Sequence, residues 1–343
     1  PKNAEWAAQI TGVPTKSIIE LARRMADCRT MISTAWSLQR SDHGEQPIWL
    51  TVILASLLGQ IGLPGGGFGI GYGCENGIGN PVKIFKWPAL SQGTNIVKEF
   101  IPVARIADML LSPGGQFDYD GLALTYPDIR LVYWAGGNPF HHHQDLNRLV
   151  EAFRQPECVI VNEIWWTATA RHADIVFPIT TVLERNDLMV TKWEPMATPM
   201  HKAIEPIGES RNDYDVFSEL ATRLGFREAF TEGRSEEEWL RHLWNQARQR
   251  AGEANFELPD FDVFWKEGPK DVLKAQDKKI LLETFRNDPQ KNPLSTPSGK
   301  IEIFSDVIAG FRYDDCPGHP VWMEPFEWLG SKAAKNFPLH IIS

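Results

Sequence analysis

The sequence predicts an α/β protein built on a doubly wound, mostly parallel sheet with helices on both faces. Three observations carry that prediction. Short apolar strand-like runs alternate with segments of helical periodicity. The runs end in polar or glycine-rich turns that lead into helices, the half-unit from which such sheets are assembled. No internal repeat or low-complexity tract competes with this pattern.

In chain order, residues 3–10 and 15–26 read as amphipathic helices separated at Pro14, with Thr15 or Ser17 as the cap of the second. Residues 29–36 read as a strand running into Ser37-Leu38-Gln39-Arg40, and a helix follows over 45–61. Its apolar stretch, residues 48–59, is about 12 residues long, too short to span a bilayer, so a buried helix is expected there. The glycine run 63–73 follows a helix and lacks G-x-G-x-x-G register, so it reads as a tightly turned loop rather than a dinucleotide fingerprint. Residues 74–100 look irregular, 101–111 helical, and 112–121 a turn region. A β-α-β rhythm then runs through strand 130–135, helix 144–153, strand 158–162 and a short strand at 173–177. Helices are expected at 213–224 and 235–251, charged loops with short helices at 255–296, and strands at 300–304 and from 337 onward. The domain division expected from this walk is an α/β binding domain over 1–230, a helical and irregular extension over 231–336, and the start of another domain at 337–343.

Composition excludes some functions. The chain has 343 residues, a net charge of −9, 43% hydrophobic and 23% charged residues. That charge disfavours sequence-blind binding to nucleic acid or to an anionic membrane. Cys28, Cys74, Cys158 and Cys316 are far apart with no C-x-x-C pair, so they read as buried thiols rather than a zinc or redox site. Thirteen Trp read first as a large aromatic core. No signal peptide opens the sequence, and both ends break off inside predicted elements, so a piece of a longer protein is expected. Periplasm and cytoplasm stay open.

Ligands of open α/β sheets sit beyond the carboxyl ends of parallel strands. Three strands offer chemistry there. The first ends at Trp36-Ser37 with Arg40 close behind. The second ends at Gly136-Gly137-Asn138-Pro139, where glycines let backbone N–H groups face a diphosphate and the next helix start favours anions. The third ends at Asn162-Glu163, with Glu163 25 positions past Asn138, close to the spacing that puts a carboxylate on a ribose. His141-His142-His143 point about 100° apart at a helix start, so they do not converge on one metal ion; one turned back to the corner reads as a phosphate or sugar donor. Arg185 is the best anion-binding candidate downstream. Asp213 and Asp215 head a helix as caps, and either can read guanine through its N1–H and 2-amino group.

Trp36-Ser37-Leu38-Gln39-Arg40-Ser41-Asp42-His43-Gly44-Glu45-Gln46, Gly59-Gln60-Ile61-Gly62-Leu63-Pro64-Gly65-Gly66-Gly67 and Trp134-Ala135-Gly136-Gly137-Asn138-Pro139 resemble the molybdopterin oxidoreductases. So do Trp166-Thr167-Ala168-Thr169-Ala170-Arg171-His172-Ala173-Asp174-Ile175-Val176, Glu184-Arg185-Asn186-Asp187 and Thr296-Pro297-Ser298-Gly299-Lys300-Ile301-Glu302. The resemblance is to the branch of dimethyl sulfoxide, trimethylamine N-oxide and biotin sulfoxide reductases. It implies a Rossmann-like dinucleotide domain and a bis(molybdopterin guanine dinucleotide) cofactor carrying molybdenum. By resemblance Trp36, Ser37 and Arg40 contact the cofactor, Gly136, Gly137, Asn138 and His142 hold one dinucleotide, and Asn162 and Glu163 follow on the next strand. Arg185 and Asp213 or Asp215, with Asp215 favoured, complete the guanine end, and Ser343 opens the next cofactor-contacting stretch. The resemblance also implies an S-oxide or N-oxide substrate and an electron donor such as a c-type cytochrome or a cytoplasmic reductant. The family's metal-ligating serine, its second dinucleotide domain and its C-terminal β-barrel-like domain have no counterpart here, so this segment alone is expected to be inactive. The other reading is a stand-alone nucleotide or molybdenum-cofactor binding module. A pyridine-nucleotide dehydrogenase is disfavoured because no strand–GxGxxG–helix unit exists.

Overall fold

A computed structural model describes residues 2–72, 85–191, 196–271 and 280–339. The protein is a mixed α/β chain with small parallel and antiparallel sheets. It divides into two compact units, Pro1–Pro81 with Ala275–Ser343, and Val82–Lys274.

The first unit opens with helices Ala4–Thr11 and Thr15–Asp27. Asn3 caps the first through its side chain, while Pro14 occupies the cap of the second and contributes no side-chain bond. Neither Thr15 nor Ser17 serves, because proline's fixed φ already starts the helix. β1 (Met31–Thr34) pairs in parallel with β2 (Gly67–Ile70), Met31 opposite Gly67. Part of the glycine run is therefore a strand and not a loop. The helix Glu45–Leu57 connects the two strands and ends before the expected 61. It is only partly buried: Thr51, Ile53 and Ala55 are inside, whereas Leu50, Leu54 and Leu57 are exposed.

Residues 300–304 form no strand. A strand needs a partner edge, and here other groups take the carbonyls: Thr296 Oγ1 donates to Lys300 O (2.6 Å) and Trp49 Nε1 to Glu302 O (3.3 Å). Residues 337–339 likewise carry no strand, and 340–343, with Ser343, lie outside the described residues, as does Cys74. Cys28 is exposed and Cys158 and Cys316 are half-buried, so the expectation of buried thiols fails for these three.

The second unit begins with a helix at Ile106–Leu111, shorter than expected because Pro102 is extended just before it. The supposed turn region is a hairpin, β3 (Gln116–Tyr119) with antiparallel β4 (Leu122–Thr125). Phe117 and Tyr126 stack across it at 4.2 Å. Next come β5 (Leu131–Ala135), β6 (Cys158–Glu163) and β7 (Ile175–Pro178), hydrogen-bonded in that order and parallel throughout. The helix Leu146–Ala152 connects β5 to β6. One face of the sheet buries Val159 and Val161 with Leu110, Phe140, Leu149, Ala152 and Phe153. Truncating fully buried Leu149 to Ala removes about 2–5 kcal/mol. On the other face Tyr133 and Asn162 meet Phe217 and Asp213 of the helix Asp213–Arg223.

A second core surrounds Trp244 of the helix Glu236–Glu253, stacked 3.7 Å from Phe264 with its indole N–H on Pro259 O (2.9 Å). Trp87 and Trp265 pack against it, so the aromatic-core expectation is met in part; Trp36, Trp165, Trp166 and Trp322 are exposed. β8 (Asp187–Met189), β9 (Met196–Met200) and β10 (Lys270–Asp271) form an antiparallel sheet beside that core. Among the described residues no helix is long and apolar enough to cross a membrane.

Candidate functional site

The parallel register brings the ends of β5, β6 and β7 side by side, with Ala135 opposite Asn162 and Glu163 opposite Pro178. Past Ala135 the backbone turns through Gly136 (φ +83°) and Gly137 (φ +82°), a left-handed conformation that glycine adopts without strain. Both glycines are exposed. A Cβ at Gly136 would meet nothing within 4 Å, so the backbone faces open space. Beside Gly137 the buried Trp134 Nε1 has no hydrogen-bond partner among the described residues.

Asn138 is fixed from behind. Its Oδ1 accepts from the fully buried Thr169 hydroxyl, leaving its Nδ2 donors without a partner among the described residues. Thr169 also meets Phe140 N at 3.5 Å. Pro139–His141 then forms a 3-10 turn. His142 is exposed at its end, and His143 is half-buried; burial, then the neighbouring His142, lowers its pKa. His172 stacks on Phe140 at 4.2 Å and contacts Ala168 O (2.7 Å), which makes it part of the wall.

The next strand ends differently. Asn162 is buried; it accepts from Tyr133 OH (2.9 Å) and donates to Asp213 Oδ1 (2.8 Å). Its side chain is thus engaged within the protein, on Tyr133 and Asp213. Burial first, and then Asp213, raise the pKa of Tyr133 and keep this donor protonated. The Glu163 carboxylate accepts from Ile164 N (2.8 Å) and Thr167 Oγ1 (3.0 Å), closing the turn that follows β6.

Arg185 is held by Thr180 O (2.9 Å) and Asp187 (3.4 Å). It lines a cavity of about 370 Å³ with Asp213, Phe217, Glu236 and Trp239. Asp215 opens instead on a neighbouring, more polar cavity of about 730 Å³ with Ser218, Arg227 and Glu228. Arg185 and Asp215 therefore do not share a cavity, whereas Arg185 and Asp213 do. Glu236 lines both. The helix cap falls to Asn212, which makes no capping bond: it accepts from Thr180 Oγ1 (2.7 Å) and donates to Glu236, whose pKa burial raises. Asp213 and Asp215 follow in the first turn, where the helix dipole favours them.

Trp36, Ser37 and Arg40 belong to the other unit, on a 3-10 turn after β1. Trp36 is 43% exposed and Arg40 is exposed without an ion pair among the described residues. Sequence reasoning missed Thr169 and Glu184 as organisers. Buried Glu184 accepts from Thr181 N (2.7 Å) and Ile207 N (2.6 Å), and those backbone donors lower its pKa. Its place in a Glu-Arg-Asn-Asp block was the available signal.

Residues 6–223 match the molybdopterin oxidoreductase profile. The chain belongs to the molybdopterin oxidoreductase family. It is 51% identical over 344 residues to a biotin sulfoxide reductase of Cereibacter sphaeroides, covering 100% of this chain and 46% of that protein. A trimethylamine-N-oxide reductase of Haemophilus influenzae is 49% identical over 360 residues (100% and 43%). A dimethyl sulfoxide/trimethylamine N-oxide reductase of Cereibacter sphaeroides is 48% identical over 359 residues (100% and 43%). The chain thus spans less than half the length of these relatives, all of them S-oxide or N-oxide reductases by name.

Proposed function

We propose that this segment serves a molybdenum-dependent reductase that removes oxygen from an S-oxide or N-oxide, and that it holds one guanine dinucleotide arm of a bis(molybdopterin guanine dinucleotide). In this reading β5–β7 are part of a doubly wound, Rossmann-like dinucleotide domain. One observation carries it: two exposed, left-handed glycines, the first facing open space, lie at the shared end of parallel strands beside an asparagine whose amide donors have no partner among the described residues. That is the surface a diphosphate requires, since backbone N–H groups can approach without a Cβ between.

Gly136 and Gly137 receive the diphosphate, and Asn138 and His142 donate to phosphate or sugar oxygens. Glu163 keeps unused lone pairs for ribose hydroxyls while its inner bonds hold the turn. Asn162 positions Asp213. Arg185 with Asp213 or Asp215 completes the guanine end; the shared cavity favours Asp213 as Arg185's companion. Trp36, Ser37 and Arg40 are cofactor contacts in this reading, and Ser343 opens a further contacting stretch. The cofactor, when bound, supplies the oxygen transfer and its two electrons. A c-type cytochrome or a cytoplasmic reductant is the electron donor in this reading.

The test is cofactor content. Asn138→Ala and Arg185→Ala in the full-length protein are expected to lower guanine released per polypeptide, with molybdenum falling in parallel. Unchanged guanine and molybdenum in both variants would remove these residues from the site.

A further inference from the structure

The turn after β6 is fastened to the glycine corner at both ends and carries two indoles on its outside. At its start Asn162 pairs opposite Ala135, so Glu163 leaves the sheet beside Gly136, neighbouring strands being about 4.8 Å apart. At its end buried Thr169 donates to Asn138 Oδ1. Between these points Glu163 clasps Ile164 N and Thr167 Oγ1, and Thr167 N donates to Trp165 O (2.8 Å). A segment this short, tied this often, has no slack to leave the rim of the corner. Its polar groups are turned inward. Trp165 and Trp166 are left 68% and 71% exposed, and neither makes a ring contact among the described residues. Adjacent exposed indoles run against the usual burial of tryptophan, and the turn that carries them is tied at both ends to the glycine corner.

We propose that Trp165 and Trp166 form an aromatic rim to the corner and stack on a fused 2-amino-4-oxo ring, the ring system that guanine and pterin share. The proposal rests on the nucleotide reading above and extends it to residues that reading leaves unused. Flat heterocycles stack on indoles whatever their hydrogen-bonding edge, so the rim supplies affinity while Asn138 supplies orientation. Glu163 is then a positioning residue: its carboxylate sets the turn that presents the indoles.

The experiment uses the full-length protein freed of cofactor, titrated separately with GDP and with free pterin by calorimetry. The proteins compared are wild type, Asn138→Ala, the double variant Trp165→Ala/Trp166→Ala, and Trp165→Phe/Trp166→Phe, each with its melting temperature. The Ala double variant is expected to bind at least one ring about 10-fold more weakly, a loss typical of one stacking contact. The Phe variant recovers most of it, and melting is unchanged because the indoles are exposed. Loss for GDP alone assigns the rim to guanine, and loss for pterin alone to pterin. Unchanged affinity for both, while Asn138→Ala weakens GDP, overturns the rim and leaves the nucleotide corner standing. A wild type that binds neither probe overturns both. A lowered melting temperature in the ligand-free Ala variant also overturns the rim, since it shows the indoles packed against protein.

Discussion

Two glycine-rich turns follow parallel strands in this protein, and they use glycine in opposite ways. At the end of β5, Gly136 has a positive φ and nothing within 4 Å of the position a Cβ would take. At the end of β2, Gly71 also has a positive φ (+61°), but a Cβ there would lie 2.3 Å from the Trp36 ring. The first glycine keeps a backbone bare; the second makes room for an indole. Similar residues at similar places in the sheet thus yield an open site in one unit and a filled one in the other. The difference lies in what the rest of the chain puts above them.

That contrast can be broken most directly at Gly71. Gly71→Ala combines left-handed strain with a ring collision and is expected to destabilise the protein by about 1–3 kcal/mol. A double-mutant cycle with Trp36→Ala separates the two: the collision part should vanish when the ring is gone, leaving only strain. Full additivity in urea unfolding would mean the indole does not occupy that space.

Glu184 tests a carboxylate clasp that joins the loop after β7 to Ile207. Its folded pKa lies below the ordinary glutamate value of about 4.5, mainly through the Thr181 and Ile207 N–H groups. The stability it contributes is therefore fully present above about pH 4.5 and is lost as pH falls through the folded value. Glu184→Gln should lower the melting temperature at neutral pH and shrink the gap to wild type on acidification. A gap that stays constant from pH 7 to pH 3 would refute the clasp.

The smallest stability effect is expected at Gly136. Gly136→Ala meets no atoms and carries only left-handed strain, about 1–2 kcal/mol or less. Its signature lies elsewhere: guanine content of the full-length protein should fall by more than the small loss of stability accounts for. Normal guanine content would separate the bare backbone from ligand binding.

Periodicity located β5, β6 and the helices Asp213–Arg223 and Glu236–Glu253 nearly to the residue, because each has a strong local pattern. The hairpin β3–β4 escaped notice, since its strands are four residues each and carry turn-forming residues between and before them. The expected strand 300–304 failed for the opposite reason: an apolar alternating pattern is only half of a strand, and among the described residues no neighbouring edge supplies the other half.

By itself, then, the chemistry of the sequence determined the longer helices and the strands β5 and β6, and that a glycine pair ends a strand beside an asparagine. It also determined the family, through ordered blocks spread along the chain. Tertiary structure alone decided that β1 lies against β2, that Asn162 faces inward to Asp213, and that Arg185 shares its cavity with Asp213 instead of Asp215. Only there, too, does Gly71 lie under an indole while Gly136 lies bare. The physical reason is range. Helix and strand patterns repeat over a few residues, whereas these contacts join groups 28 to 51 positions apart, and nothing local in the chain encodes what will arrive from that distance.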